Sequence, residues 1–171
     1  MKRFAAFSLT LIAIVASASA AELKIGYVDS DVVLSGYTGT KTAEEKLRQF
    51  YAKLEQEATE KQGRIKQMQD ELQKQALLIS EARKKELEKS LQDSLIVYQQ
   101  FLQEKMGQQG AAAQKQAELM QPIIEKINAA IKELSEKENF DFIFDAKAGL
   151  LFGKPAYDIT QKLITALNSG K

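Results

Sequence analysis

Two close pairs of carboxylates, Asp29 with Asp31 and Asp141 with Asp145, come nearest to chemistry in this chain of 171 residues. Paired carboxylates can divide the general acid and general base roles of a hydrolytic site. Each pair, however, falls within an alternating strand pattern or the turn after it, where exposed carboxylates are ordinary. Neither has a partner base or a set of metal ligands beside it. The chain contains no His, the commonest general base and transition-metal ligand. It contains no Cys, so an oxidising compartment is compatible but no disulfide framework exists. No P-loop, nucleophile elbow or metal-ligand cluster occurs. Catalytic, cofactor-binding and metal-binding residues are therefore expected to be none, and an enzyme is the least supported function class.

Charge narrows the classes further. The chain has 24 basic and 23 acidic residues, a formal net charge of +1. Such a balance argues against a dedicated nucleic-acid binder, which carries a strongly basic face. The first residues read as an address. Lys2 and Arg3 form a basic start, residues 4–16 are apolar apart from Ser8 and Thr10, and Ala18-Ser19-Ala20 fits a small-x-small cleavage site. Residues 1–20 are thus expected to be a secretory signal peptide, too short in its apolar run to span a bilayer. Without Lys2 and Arg3 the processed chain carries 22 basic and 23 acidic residues. A lipoprotein anchor is not expected, because no Cys opens the processed chain.

The elements that position everything else are helical. Residues 41–138 hold one Pro (Pro122) and three Gly (Gly63, Gly107, Gly110) among dense Glu, Lys, Gln, Ala and Leu, a helix-forming composition. A stripe at Leu47, Tyr51, Leu54, Ala58, Lys61, Ile65, Met68, Leu72, Gln75 and Ile79 steps alternately by four and three. This 3.5-residue period predicts a coiled-coil seam, with Lys61 and Gln75 as its breaks. The pattern falters at Leu77-Leu78-Ile79, and Ser80 fits an N-cap for a second helix. The second stripe, Leu87, Leu91, Leu95, Tyr98, Leu102, Met106, Gln109, Ala113, Ala117, Met120 and Ile124, repeats every eleven residues. An eleven-residue repeat winds in the opposite sense to a heptad, so the two helices are expected to pair imperfectly. Pro122 is expected to kink the second helix where a denser apolar face (Ile123, Ile124, Ile127, Ile131, Leu134) enters a core.

Strand patterns lie at both ends. Leu23-Lys24-Ile25-Gly26-Tyr27 alternates, as do Phe140, Phe142 and Phe144, and Leu150-Leu151-Phe152 reads as a further strand. Ile159, Leu163 and Leu167 mark a final helix. The fold class is α+β: a long antiparallel helical hairpin, a coiled-coil-like arm, projecting from a small β-sheet body. The expected division is a signal peptide at 1–20, a body at 21–40 and 120–171, and an arm at 41–119 with its tip near 78–81. So small a body is marginal alone, and its surplus of apolar strand residues points to oligomerisation through it.

Several stretches carry a family resemblance. Lys24-Ile25-Gly26-Tyr27-Val28-Asp29, residues 119–127 with Gln121-Pro122-Ile123, residues 140–145, and Tyr157-Asp158-Ile159-Thr160 followed by Ala166-Leu167-Asn168 resemble the Skp/OmpH family of periplasmic chaperones for outer-membrane proteins. The resemblance implies a homotrimer whose bodies join through their sheets and whose three arms enclose unfolded outer-membrane barrel proteins without ATP. It places the chain in the periplasm. The family's best-known members are strongly basic, and this chain departs from them in being about neutral.

The competing readings are an ATP-independent holdase and a structural or adaptor coiled coil of the envelope with no client cavity. Under the first, Tyr51, Leu54, Met68, Leu72, Leu95, Tyr98, Leu102 and Met106 are the candidate client-facing residues of the arm. Ile25, Tyr27, Phe142, Phe144, Leu150 and Leu151 are candidates for the body interior or the subunit junction. Gly107 and Gly110 are candidates for a hinge, taken as lying within the second helix opposite Tyr51 and Arg48. Arg83, Lys84 and Lys85 bias the tip towards positive charge. Such a bias would steer acidic partners, and any contact with anionic membrane lipid or lipopolysaccharide is expected to be weak.

Overall fold

The computed structural model describes residues 23–170; the expected signal segment at 1–20 lies outside them. Strand β1 (Ile25–Val28) leads through the N-cap Asp29 into helix α1 (Ser30–Gly36). Asp29 Oδ1 accepts from the amides of Asp31 and Val32 at 3.1 and 3.2 Å, satisfying two of the free donors that open the helix. The arm follows as α2 (Thr38–Gln75) and α3 (Glu81–Met106), and α4 (Ala111–Glu138) brings the chain back. Strand β2 (Phe142–Asp145) and the closing helix α5 (Thr160–Asn168) complete the body.

The sheet is a parallel pair, with Ile25 opposite Phe142 and Tyr27 opposite Phe144. Parallel strands need a long crossover, and here the crossover is the whole arm. A single bridge from Tyr27 to Asp158, with the Ile159 amide donating to the Tyr27 carbonyl at 3.0 Å, brings the start of α5 against β1.

Apolar side chains, most of them from helices, fill the core. Val28, Val33, Tyr37, Ala43, Ile123, Leu134, Ile159, Leu163, Ile164 and Leu167 form one buried cluster, with Leu163 at 0% exposure. Gly36 lets α1 approach α5, because a Cβ there would stand 2.8 Å from Ile164 Cδ1. Asn168, at the end of α5, ties the first turn of α2 down: its Oδ1 accepts from the Thr38 amide and hydroxyl at 2.9 Å each, and its Nδ2 donates to the Gly36 carbonyl at 3.0 Å. The N-cap Tyr37 makes no side-chain cap bond of its own, so α2 is capped by a residue from the far end of the chain.

Four expectations are corrected. First, residues 30–36 form a helix in the body, beyond the strand patterns and final helix expected there. Second, Leu150-Leu151-Phe152 forms no strand, since no ladder partner reaches it among the described residues, and Leu151 stands 100% exposed. Third, Phe142 and Phe144 are 52% and 51% exposed and Ile25 is exposed as well, so none of them lies in the body interior. Ile143, between the two phenylalanines, packs against the core instead. Fourth, the expected second helix is divided into α3 and α4 at residues 107–110, and α4 stays helical through Pro122. The proline leaves the Glu118 carbonyl without its helical donor. Glu118 is exposed, where water can satisfy that group, and the packing of Ile123 holds the following turns.

Candidate functional site

The four carboxylates that could have done chemistry are all occupied with structure. Asp29 caps α1, and Asp141 Oδ2 accepts from the Lys24 amide at 2.7 Å. Asp145 Oδ1 accepts from the amides of Lys147 and Ser30 at 3.0 and 3.4 Å. The Lys147 amide, with Ser30, holds the Asp145 carboxyl below its ordinary pKa. Lys147 Nζ lies 3.1 Å from Asp31 and 3.7 Å from Asp29, and its hydrogen bond to Asp31 raises its pKa. These contacts join β1, α1 and the end of β2. At the opposite end of the strands, Lys162 bonds Glu138 at 2.8 Å and lowers its pKa, with Lys24 adding attraction at 3.9 Å. Glu138 therefore contributes to body stability at neutral pH, and that contribution fades as pH falls through its lowered pKa. No group of three or more metal-ligating side chains occurs among the described residues.

The arm is the feature that remains, and its own core is thin. Leu54, Phe101 and Ala112 form a buried cluster with Phe50, Ala58 and Leu102 packed against it. Ile65 is the other buried apolar residue of α2 beyond Ala43. Leu54 is only 4% exposed, so the arm uses it internally and it is removed from the client-facing set. Met68, Leu72, Leu95, Tyr98 and Leu102 are half-buried between the helices. Met68 Sδ accepts from the Ser94 hydroxyl at 3.5 Å. Tyr51 and Met106 are exposed, as are Ile96 and Val97, which neither stripe contained. Phe101 was missed too. The eleven-residue repeat selects Leu102, one position along, whereas the buried ring is Phe101. Its signal was Lys61: that break in the first stripe sets its Nζ 5.3 Å from the centre of the Phe101 ring, a cation–π contact that gives a cation a place on the seam.

Gly107 and Gly110 do not sit inside a helix. They are the C-cap of α3 and the N-cap of α4. The Gly110 amide donates to the Gly107 carbonyl at 2.8 Å, closing a tight turn. Both have negative φ, so backbone handedness does not demand glycine. Space does: a Cβ on Gly107 would run into the Gln103 carbonyl oxygen, and one on Gly110 would lie 2.8 Å from the Glu104 carbonyl oxygen. The turn also changes the pairing. Phe101 and Ala112 share one cluster with Leu54, although eleven residues of continuous helix would separate them by ~16 Å. Gly107 opposite Tyr51 and Gly110 opposite Arg48 is therefore not the register adopted; the turn takes up chain without advancing along the arm.

At the other end of the arm, the Leu78 and Ile79 amides both donate to the Gln75 carbonyl, at 2.8 and 3.1 Å. Ser80 Oγ accepts from the Arg83 amide at 3.3 Å and caps α3. Arg83 and Lys85 are exposed and Lys84 is half-buried; Arg83 pairs with Glu86 at 2.7 Å.

On the body, Phe142 and Phe144 stack with ring centroids 6.1 Å apart. Phe144 also borders a groove of about 320 Å³ lined by Val28, Leu34, Ile124, Ile127 and Ile131. Ring pair and groove make one exposed apolar surface, of the kind that marks an interaction site. Tyr27 lies half-buried opposite Phe144, and Leu150 and Leu151 are exposed.

A family model described as outer membrane protein (OmpH-like) matches residues 24–167. The chain is 25% identical over 154 residues to the chaperone protein Skp of Vibrio cholerae serotype O1, a match covering 89% of this chain and 88% of that protein. A crystal structure from Caulobacter crescentus CB15, described as an OmpH-like outer membrane chaperone, superposes with a TM-score of 0.79 at 15% identity, covering 88% of this chain and 87% of that one. At that identity the likeness concerns the fold alone.

Proposed function

The chain belongs to the OmpH-like family and is a chaperone rather than an enzyme; on that premise we propose that it is an ATP-independent holdase that binds unfolded outer-membrane proteins in the periplasm and prevents their aggregation. The supporting observation is the thinness of the arm's core. Few apolar side chains of α2 and α3 are buried, and the rest stay half-buried or exposed among Gln and Lys. An arm that served only as a strut would gain stability by burying its stripe. Dispersed apolar groups instead offer many weak contacts to an unfolded barrel strand, whose apolar residues alternate. Met68 and Met106 suit varied clients, since an unbranched thioether adapts its shape.

The same reading has residues 1–20 removed as a secretory signal and three copies joined through their bodies. The exposed Phe142–Phe144 surface and its groove support that junction. The test is to refold a denatured barrel protein with the processed chain, following aggregation by light scattering and the complex by native mass spectrometry. A trimer that suppresses aggregation without nucleotide is expected. Failure to suppress, with the chain fully folded, would favour an envelope adaptor.

Gly107 and Gly110 serve this function as a hinge. In the turn a methyl group at either position meets backbone, whereas in a continuous helix Ala is better than Gly by about 1 kcal/mol per site. Gly107→Ala with Gly110→Ala is therefore expected to raise helix content and stiffen the arm, which still traps small barrels but loses large ones. Spin-label distances between arm tips should narrow. An unchanged distribution in a fully folded double variant would rule the hinge out.

A further inference from the structure

Gly63 lies deep inside α2, and the folded chain gives no reason for a glycine there. Its φ is negative, so backbone handedness does not require it. A Cβ at this position would meet no heavy atom within 4 Å, so packing does not exclude a side chain either. In an exposed helix interior, glycine lowers helix stability relative to alanine. Its missing side chain helps to open one side of the hairpin seam. A groove of about 670 Å³ lies there between α2 and α3, with Gly63, Ile65, Leu95 and Tyr98 in its wall and Lys66 and Asp70 beside them. Ile65 is buried, Leu95 and Tyr98 are half-buried, and Lys66 and Asp70 are exposed. Among the described residues neither Lys66 nor Asp70 makes a salt bridge.

We propose that this groove seats an aromatic side chain of the unfolded client, its ring lying over Gly63 against Tyr98 with Lys66 beside it. Three features select an aromatic occupant over an aliphatic one. A bare stretch of helix backbone lets a planar group approach closely, which any side chain at position 63 would prevent. Tyr98 offers a ring for offset or edge-to-face packing. Lys66, three residues on and therefore on the same side of the helix, supplies an unpaired cation to the negative face of a ring, an attraction that an aliphatic group cannot return. The arm already contains this pairing within itself, since Lys61 Nζ stands 5.3 Å from the centre of the Phe101 ring. The groove is roomy enough for main chain to enter with the ring. Lys66 can then donate to a client carbonyl, and Asp70 can accept from a client amide. Barrel strands carry girdles of aromatic residues at both membrane interfaces, so such side chains recur along an unfolded barrel protein.

The proposal rests on the holdase reading, and the two fail differently. The probes are a dye-labelled, unfolded eight-stranded barrel protein and the same protein with its girdle aromatics changed to Leu, each titrated with the processed chain by fluorescence anisotropy. The parent chain should bind the aromatic client more tightly than the leucine client. Gly63→Gln should raise helix content and melting temperature, because glutamine is the better helix former. The same variant should lower affinity for the aromatic client by about tenfold, as its side chain takes the place of the ring. Its affinity for the leucine client should stay that of the parent. Lys66→Gln should narrow the preference between the two clients, and Lys66→Arg should keep it. Opposite signs for stability and binding are what a merely tolerated glycine would not give. Equal affinity of the parent for both clients would overturn the proposal and leave the holdase reading intact. Parent-like binding of the aromatic client by Gly63→Gln, or an equal loss for both clients, would do the same. A parent chain that binds neither client would overturn both.

Discussion

Phe144→Asp is expected to give a folded chain that no longer assembles. Phe144 is half exposed in the single chain, stacked on Phe142 and opposite Tyr27 in the parallel pair. An aspartate there stays hydrated in the monomer, so helix content should hold and stability should change by no more than about 1 kcal/mol. At a junction between bodies the same carboxylate would be desolvated without a partner, at several kcal/mol in each copy. If the bodies join into the proposed trimer, native mass spectrometry should show the parent assembled and this variant monomeric. Aggregation suppression should fall with it, because a lone arm encloses nothing. A variant that remains trimeric with unchanged melting would place the junction elsewhere on the body.

Leu163→Ala should have the largest effect on stability. Leu163 is wholly buried at the centre of the cluster that joins β1, α1, α4 and α5. Truncating a buried leucine leaves a cavity that the surroundings only partly fill, a loss of about 3 kcal/mol. A body this small has little stability to lose. A fall in melting temperature of roughly 15 °C is expected by calorimetry, at about 4–8 °C for each kcal/mol in a domain of this size. The arm should respond less, since the Leu54 cluster shares no buried residue with the body core. Gln161→Ala, exposed on the same helix, is the control and should leave the transition in place. A shift of a few degrees for Leu163→Ala would mean that the body closes over the gap.

The exposed surfaces explain why some residues could be read from sequence and others could not. Phe142 and Phe144 were legible as one face of a strand, because alternation is a local property of the chain. Which face turns outward was not legible. It depends on Ile143 meeting the core formed by α1, α4 and α5, elements that a local pattern cannot place in space. Phe101 and Leu102 show the same division on the arm: the stripe predicts that this turn faces α2, but a shift of one residue depends on Leu54 and Lys61 across the seam.

By itself the sequence determined the helical character of the arm, the hairpin and the α+β class, because composition and apolar periodicity act within a few turns and decide which face of each helix seeks burial. It also pointed away from catalysis, through the residue types it lacks. Only the tertiary structure decided the contacts between distant parts of the chain. It paired β1 with β2 in parallel across the entire arm and capped α2 with Asn168. It placed the helix break at Gly107 and Gly110 while α4 continued through Pro122. The physical reason is shared by all of these. Each outcome depends on a partner far away in sequence, whose packing or hydrogen bond outweighs a local preference worth about a kilocalorie or less per residue in most cases, and up to about three for a proline.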